Sequence, residues 1–228
     1  MAVATSFREE LKAAILERHC ANHPMTDKWA RGELSRDALM GWGIEHWHWV
    51  SKVKPASFYR CANAPRDVAL AMLDNWNEET DPARDHLEIV LRFAAANGAD
   101  VAEVKAGRGL PTTEAWVAWQ LHVAREGSWV AGVASLAGTE SQSPMLYGKV
   151  LPALREIYNF PEDAIEHFWL HAEVDVEHGE RSFDVLERHC TTRALQEEAI
   201  HFARESARIR WFHFDGIYLH YELGYRLR

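Results

Sequence analysis

The 228-residue chain is short of the features that mark several common protein classes. No apolar run approaches the roughly 20 residues that a membrane-spanning helix needs. Cysteine is scarce: Cys20, Cys61 and Cys190 lie far apart, form no CxxC pair and are odd in number. That pattern gives no disulfide framework and suits a reducing cytoplasm. Strand signals are nearly missing, with no long Val/Ile/Thr alternation and no Asn-Gly hairpin. The one glycine-rich segment, Ala106 to Pro111, lacks the Lys-Ser/Thr of a phosphate-binding loop and reads as a turn. Positive charge is in deficit too. Lys and Arg total 25 against 34 Asp and Glu, for a net charge of −9. Such a chain is a poor coat for nucleic acid or an anionic membrane, and no basic recognition helix stands out.

What remains is helical periodicity over almost the whole length. The first 20 residues carry charges inside an apolar pattern and read as an amphipathic helix rather than a signal peptide. The punctuation predicts helices over 7–20, 35–62 with Pro55 as a kink, 67–79, 82–96, 112–126, 128–140, 144–158, 161–188 and 191–225. Ser35 and either Thr112 or Thr113 serve as N-caps, and Asn97-Gly98 as a stop. Linkers are short and no composition shift marks a boundary. The expectation is therefore one all-α, single-domain helical bundle covering residues 1–228.

Thirteen histidines and ten tryptophans are unusual for this length. Within one predicted helix, His171, Asp175 and His178 stand at i, i+4 and i+7, within about 40° of one another at 100° per residue. Two imidazoles and a carboxylate on one face suit iron, manganese or zinc. The plain alternative is a solvated charged face, although Lys and Glu are its usual occupants. His167 sits one turn earlier as a reserve ligand or packing residue. Glu79 and His86 are seven apart, which an unbroken helix would put on one face; Pro82 weakens that argument. Glu140 follows eleven uncharged, mostly small residues, Trp129 to Thr139, so it either enters the interior, where a carboxylate needs a partner, or ends its helix in water. Nitrogen and oxygen donors without sulfur favour iron or manganese over structural zinc.

With these segments in view, the sequence resembles the heme-oxygenase-like diiron oxidases and oxygenases of the wider TenA and pyrroloquinoline-quinone-synthase superfamily. The resemblance rests on the early His23-Pro24 with Trp29, the segment from Asn75 to His86, Glu140 to Pro144, and Leu170 to Gly179. It implies a heme-oxygenase-like fold. It also places six metal ligands on Glu79, His86, Glu140, His171, Asp175 and His178, holding two iron ions or iron with manganese. O2 would be the co-substrate, a small molecule (amino-acid-derived or a carboxylate) the substrate, and a homodimer the assembly, with no nucleic-acid or membrane partner. A substrate pocket is expected from Trp42, His46, Trp49, Tyr218 and Tyr221, with Arg210 as a further candidate. His46 and His48, two apart, are expected to face opposite ways. Two relatives of the same fold offer alternatives. TenA-like enzymes use a mid-chain cysteine, whereas residues 128–142 contain none, and quinone synthases work without metal. A branch that forms p-aminobenzoate from its own tyrosine carries it just after His-Pro, where this chain has Met25 and Thr26. A non-catalytic small-molecule binder is the reading from a different class.

Overall fold

The structure, a computed structural model, describes residues 6–227, without the side chains of residues 173–178. Among the described residues there is no strand. Where the caps are strong, the helices start as their chemistry directs. Ser6 and Glu9 form a reciprocal capping box at the start of α1 (Phe7–Leu16). Ser35 caps α3 (Arg36–Val53), Ser128 caps α9 (Trp129–Glu140) and Thr192 caps α12 (Arg193–Ile217), each accepting a backbone N–H.

Other boundaries differ from expectation. His23 caps a short helix, α2 (Pro24–Ala30), with Pro24 in its first turn, where only a turn was foreseen. Pro55 divides rather than kinks: α3 ends at Val53 and α4 is a separate helix (Ala56–Cys61). Helix α5 (Arg66–Glu79) is followed by a turn over 80–85, so α6 (His86–Ala96) begins four residues after Pro82. The small α7 (Val101–Ala106) carries its own Asp100 cap. Helix α8 (Pro111–Glu126) is not capped by a threonine. A distant carboxylate sits at its start instead: the N–H of the N-cap residue Leu110 and the Thr113 hydroxyl both donate to Glu45 Oε2. Helices α10 (Ser143–Glu156) and α11 (Glu166–His189) complete the set, and a π-helical turn, Tyr218–Glu222, closes α12.

Burial explains the arrangement. Helix α9 is apolar all round and buried over ten of its twelve residues, so it occupies the centre. It packs along α12, and α10 along α11. The apolar interior falls into two clusters. One gathers Trp29, Trp42, Phe93, Phe168 and Phe214; the other gathers Leu11, Val68, Val133, Leu186 and Ala203. Helices α11 and α12 contribute to both. The residues lying between the two clusters on these helices include His171 and Arg210, both buried. The division is therefore a polar layer across the bundle, and that layer carries the site.

The α9–α12 contact depends on glycine. A Cβ on Gly138 would fall 2.5 Å from the Ala203 carbonyl oxygen and 2.8 Å from Ser206 Cβ. Gly138→Ala is therefore expected to lower stability by about 1–3 kcal/mol, the usual cost of overpacking. Gly148→Ala, where nothing lies within 4 Å of the added carbon, should instead raise it by about 0.4–1 kcal/mol. Urea unfolding of both variants tests the pair, and equal effects would refute the contact argument.

Candidate metal centre

Glu79 is the last residue of α5 and His86 the first of α6. The turn between them is pinned by its own polar groups. The Thr80 hydroxyl donates back to Trp76 O at 2.7 Å, Asp81 Oδ1 accepts Ala83 N–H at 2.9 Å, and Asp85 caps α6 through Leu87 N–H at 2.9 Å. Two helix ends thus meet, so Glu79 and His86 come together across a break rather than along one helical face. His171 reaches the same point from α11. One donor atom from each of the three lies within 4.8 Å of the others. The two imidazoles meet edge to face with ring centroids 4.8 Å apart. His86 Nδ1 lies 2.9 Å from Glu79 Oε2 without hydrogen-bond alignment, and this buried nitrogen makes no hydrogen bond. His86 and His171 are both buried.

Glu140, at the end of α9, lines the same cavity, and Asn75 Nδ2 donates to its Oε1 at 3.3 Å. Asn75 lies one turn before Glu79 on α5, so α5 positions both carboxylates. This decides between the two expectations for Glu140: it faces the cavity, not bulk water. It stands beside the three-residue cluster rather than within it. Helix α11 continues unbroken past His171 through positions 175 and 178. The side chains of Asp175 and His178, the remaining two expected ligands, lie outside the described residues.

The donor set passes a chemical test for iron. Two imidazoles and one carboxylate, with no sulfur, are the ligand types of non-heme iron oxygenases. The two imidazoles are buried and Glu79 is partly so, and one donor atom has no hydrogen bond to hold it otherwise. Buried polar atoms rarely go unsatisfied unless something else is meant to meet them.

Behind the cluster, His167 stacks near His171 with centroids 4.4 Å apart, and both of its ring nitrogens lack hydrogen bonds. Burial first, then the neighbouring His171, His46, His86 and Arg210, hold its pKa well below the usual imidazole range, so it is neutral. The cavity holds about 80 Å³ of free space. Of the expected pocket residues, His46 and Trp49 line it. Trp42 does not. It is fully buried in the apolar cluster and forms the layer behind, stacked on His46 at 4.6 Å. Tyr218 and Tyr221 also lie elsewhere, because the π-helical turn carries them away. Tyr218 packs near His23, and the Tyr221 hydroxyl donates to Glu45 Oε1. His46 and His48 are both buried, because α3 packs against α6 on one side and α8 on another, so opposite faces of this helix are both interior. Arg210 does line the cavity, its Nη1 donating to Thr139 O and its Nη2 to the Tyr147 hydroxyl. Many lining residues had no sequence signal; Arg60, Gln120 and Tyr147, for example, sit in ordinary helical contexts and become visible only through packing.

Residues 40–211 match the family described as iron-containing redox enzymes. The chain belongs to that family. It is 26% identical to a 4-aminobenzoate synthase of Nitrosomonas europaea across 95% of this chain and 92% of the relative. It is 30% identical to a pyrroloquinoline-quinone synthase of Ruegeria pomeroyi across 69% and 68%. In fold it is similar to a heme-oxygenase-like protein of Shewanella denitrificans, with a TM-score of 0.82, 17% identity, and 100% and 98% of the two chains covered. A TenA homologue of Pyrococcus furiosus aligns with a TM-score of 0.77, 18% identity, and 93% and 100% covered. The fold is thus heme-oxygenase-like, as the sequence resemblance implied. No helix among the described residues is long and apolar enough to cross a membrane.

Proposed function

We propose that this family member is an O2-dependent oxidase or oxygenase of a small molecule, working through a dinuclear iron or iron–manganese centre. The convergence of Glu79, His86 and His171 on one buried point carries the reading. Glu140 in the same cavity, and Asp175 and His178 one and two turns beyond His171, would complete six ligands. When bound, iron would supply the electrons that O2 needs to react with an organic substrate.

The chain's own residues do the rest. Asn75 fixes the Glu140 carboxylate, and the pinned turn over 80–85 fixes the approach of Glu79 to His86. Trp49, stacked flat on Trp116 at 4.1 Å, closes one wall and keeps water out. Its indole N–H donates to Gln120 Oε1, and Gln120 Nε2 donates to the Thr139 hydroxyl, so that wall is held by a satisfied network. Neutral His167 packs behind His171 and adds no positive charge beside the metals.

Anaerobic loading with Fe(II), metal counting, and then exposure to O2 with optical monitoring tests the proposal. Two metal ions per chain and O2 uptake are expected. A protein that retains no iron, or that is fully active after exhaustive chelation, belongs instead with the metal-free enzymes of this fold. Formation of 4-aminobenzoate, after the name of the Nitrosomonas relative, is the first product to assay.

A further inference from the structure

The two helix ends that present Glu79 and His86 share one outside partner. Lys54 is the C-cap of α3, set at the Pro55 break. Its backbone is fixed there: its N–H donates to Val50 O and its own carbonyl accepts Ser57 N–H, each at 3.2 Å. The side chain is 8% exposed and enters the wall of the metal-site cavity. Its Nζ donates to the Glu79 backbone carbonyl, and Asp85 Oδ1 lies 3.6 Å from the same nitrogen. That carboxylate oxygen also caps α6 through Leu87 N–H. In a continuing helix the Glu79 carbonyl would accept the N–H of Ala83, but Ala83 N–H goes to Asp81 Oδ1 instead. A carbonyl at a helix C-terminus carries partial negative charge and a capping carboxylate a full one, so an ammonium between them is attracted by both. One cation thus spans residues 79 to 85, the length of the turn between the two ligands.

We propose that Lys54 is a positioning residue for metal binding: it holds the end of α5 to the start of α6, so that Glu79 and His86 stand ready before any metal arrives. This rests on the iron-enzyme reading above and adds to that site a residue that is not itself a ligand. The sign of its effect separates position from charge. An ammonium in the cavity wall repels a metal cation, so if its charge alone mattered, removing it would tighten metal binding. If the clamp matters more, removing it loosens binding, because part of the binding energy then goes into ordering the two ligands. The two roles move the measured affinity in opposite directions.

Lys54→Met keeps an unbranched stem in the same packing and removes the ammonium. Anaerobic Fe(II) titration of the metal-free variant should show binding about 10–100-fold weaker than in the unmodified chain, the usual cost of removing a group that orients metal ligands. Lys54→Arg keeps a cation and its N–H donors and should recover most of that loss. Circular dichroism is the folding control. Hydrogen exchange reads the clamp with no metal present. The N–H groups of Thr80 and Leu87, bonded to Trp76 O and Asp85 Oδ1, should exchange slowly in the unmodified metal-free chain. In Lys54→Met they should exchange at least about 10-fold faster, the scale of a lost hydrogen bond from a charged group. The measurement on the unmodified chain needs no variant, so a misfolded Lys54→Met would not shield the proposal. Rapid exchange there before metal is added, or equal exchange in the two chains, would overturn it. Fe(II) binding that is unchanged or tighter in Lys54→Met would overturn the positioning role while the iron reading stands. An unmodified protein that takes up no iron would overturn the iron reading, and with it any role of Lys54 in metal binding.

Discussion

Replacing His171 with alanine should strip iron from the centre and lower O2 consumption by at least about 100-fold. Outer partners of metal ligands already cost about 10–100-fold when removed, and His171 is itself one of three converging donors. Two donors, Glu79 and His86, would remain at that point among the described residues. The fold should survive, because the helices are held by the two apolar clusters on either side of the polar layer, and His171 belongs to neither. The experiment measures metal content and O2 consumption of His171→Ala beside the unmodified protein, with circular dichroism as the folding control. Added imidazole should restore part of the metal binding by filling the space left by the side chain. Unchanged O2 consumption in a well-folded variant would sink the metal-centre reading.

That result would test a residue that the sequence made visible through helical spacing. His171 is buried on the cavity side of a continuous helix, as a one-face pattern requires. Glu79 and His86 are a different case. Their spacing of seven pointed to one face of one helix, yet the helix stops at Glu79 and restarts at His86. The pairing arises from two helix ends held by Thr80, Asp81 and Asp85, and spacing does not encode that. Strong caps such as Ser35 and Ser128 were legible because a hydroxyl three residues before its N–H partner is a local event. The start of α8 was not legible in this way, because Glu45, 65 positions away, replaces the local cap. The aromatic pocket shows the same limit. Trp42, His46 and Trp49 share the length of α3, but only tertiary packing decides that His46 and Trp49 reach the cavity while Trp42 backs them. Arg60 lay beyond sequence reasoning altogether, since nothing local separates a buried arginine on a short helix from an exposed one.

Buried histidines should also make the protein acid-sensitive well above the carboxylate range. His213 on α12 is fully buried, and Thr113 Oγ1 lies 3.0 Å from its Nδ1. The single hydroxyl proton of Thr113 goes to Glu45 Oε2, so Nδ1 supplies the hydrogen to Thr113 and Nε2 is left bare, without a partner. Burial, with Arg210 nearby, pushes His213 down to about 3; burial likewise pushes His19 down to about 4. Both groups are therefore neutral in the folded chain and gain protons near pH 6.5 once unfolded. The unfolded state binds more protons below that pH, so the stability these groups contribute is complete above 6.5 and is lost as pH falls toward each folded value. At about 1.4 kcal/mol per pH unit, His213 alone accounts for about 2 kcal/mol between pH 6.5 and 5, a sizeable share of the roughly 5–15 kcal/mol typical of a folded domain. Urea unfolding at pH 7.5 and pH 5.0 of the unmodified protein and of His213→Phe isolates this contribution, because the metal-site histidines act equally in both and cancel in the difference. Phenylalanine fits the argument, since Thr113 keeps its bond to Glu45 and no buried nitrogen remains. The unmodified protein should lose about 2 kcal/mol more than His213→Phe over that interval; equal losses would mean that His213 is protonated in the folded state.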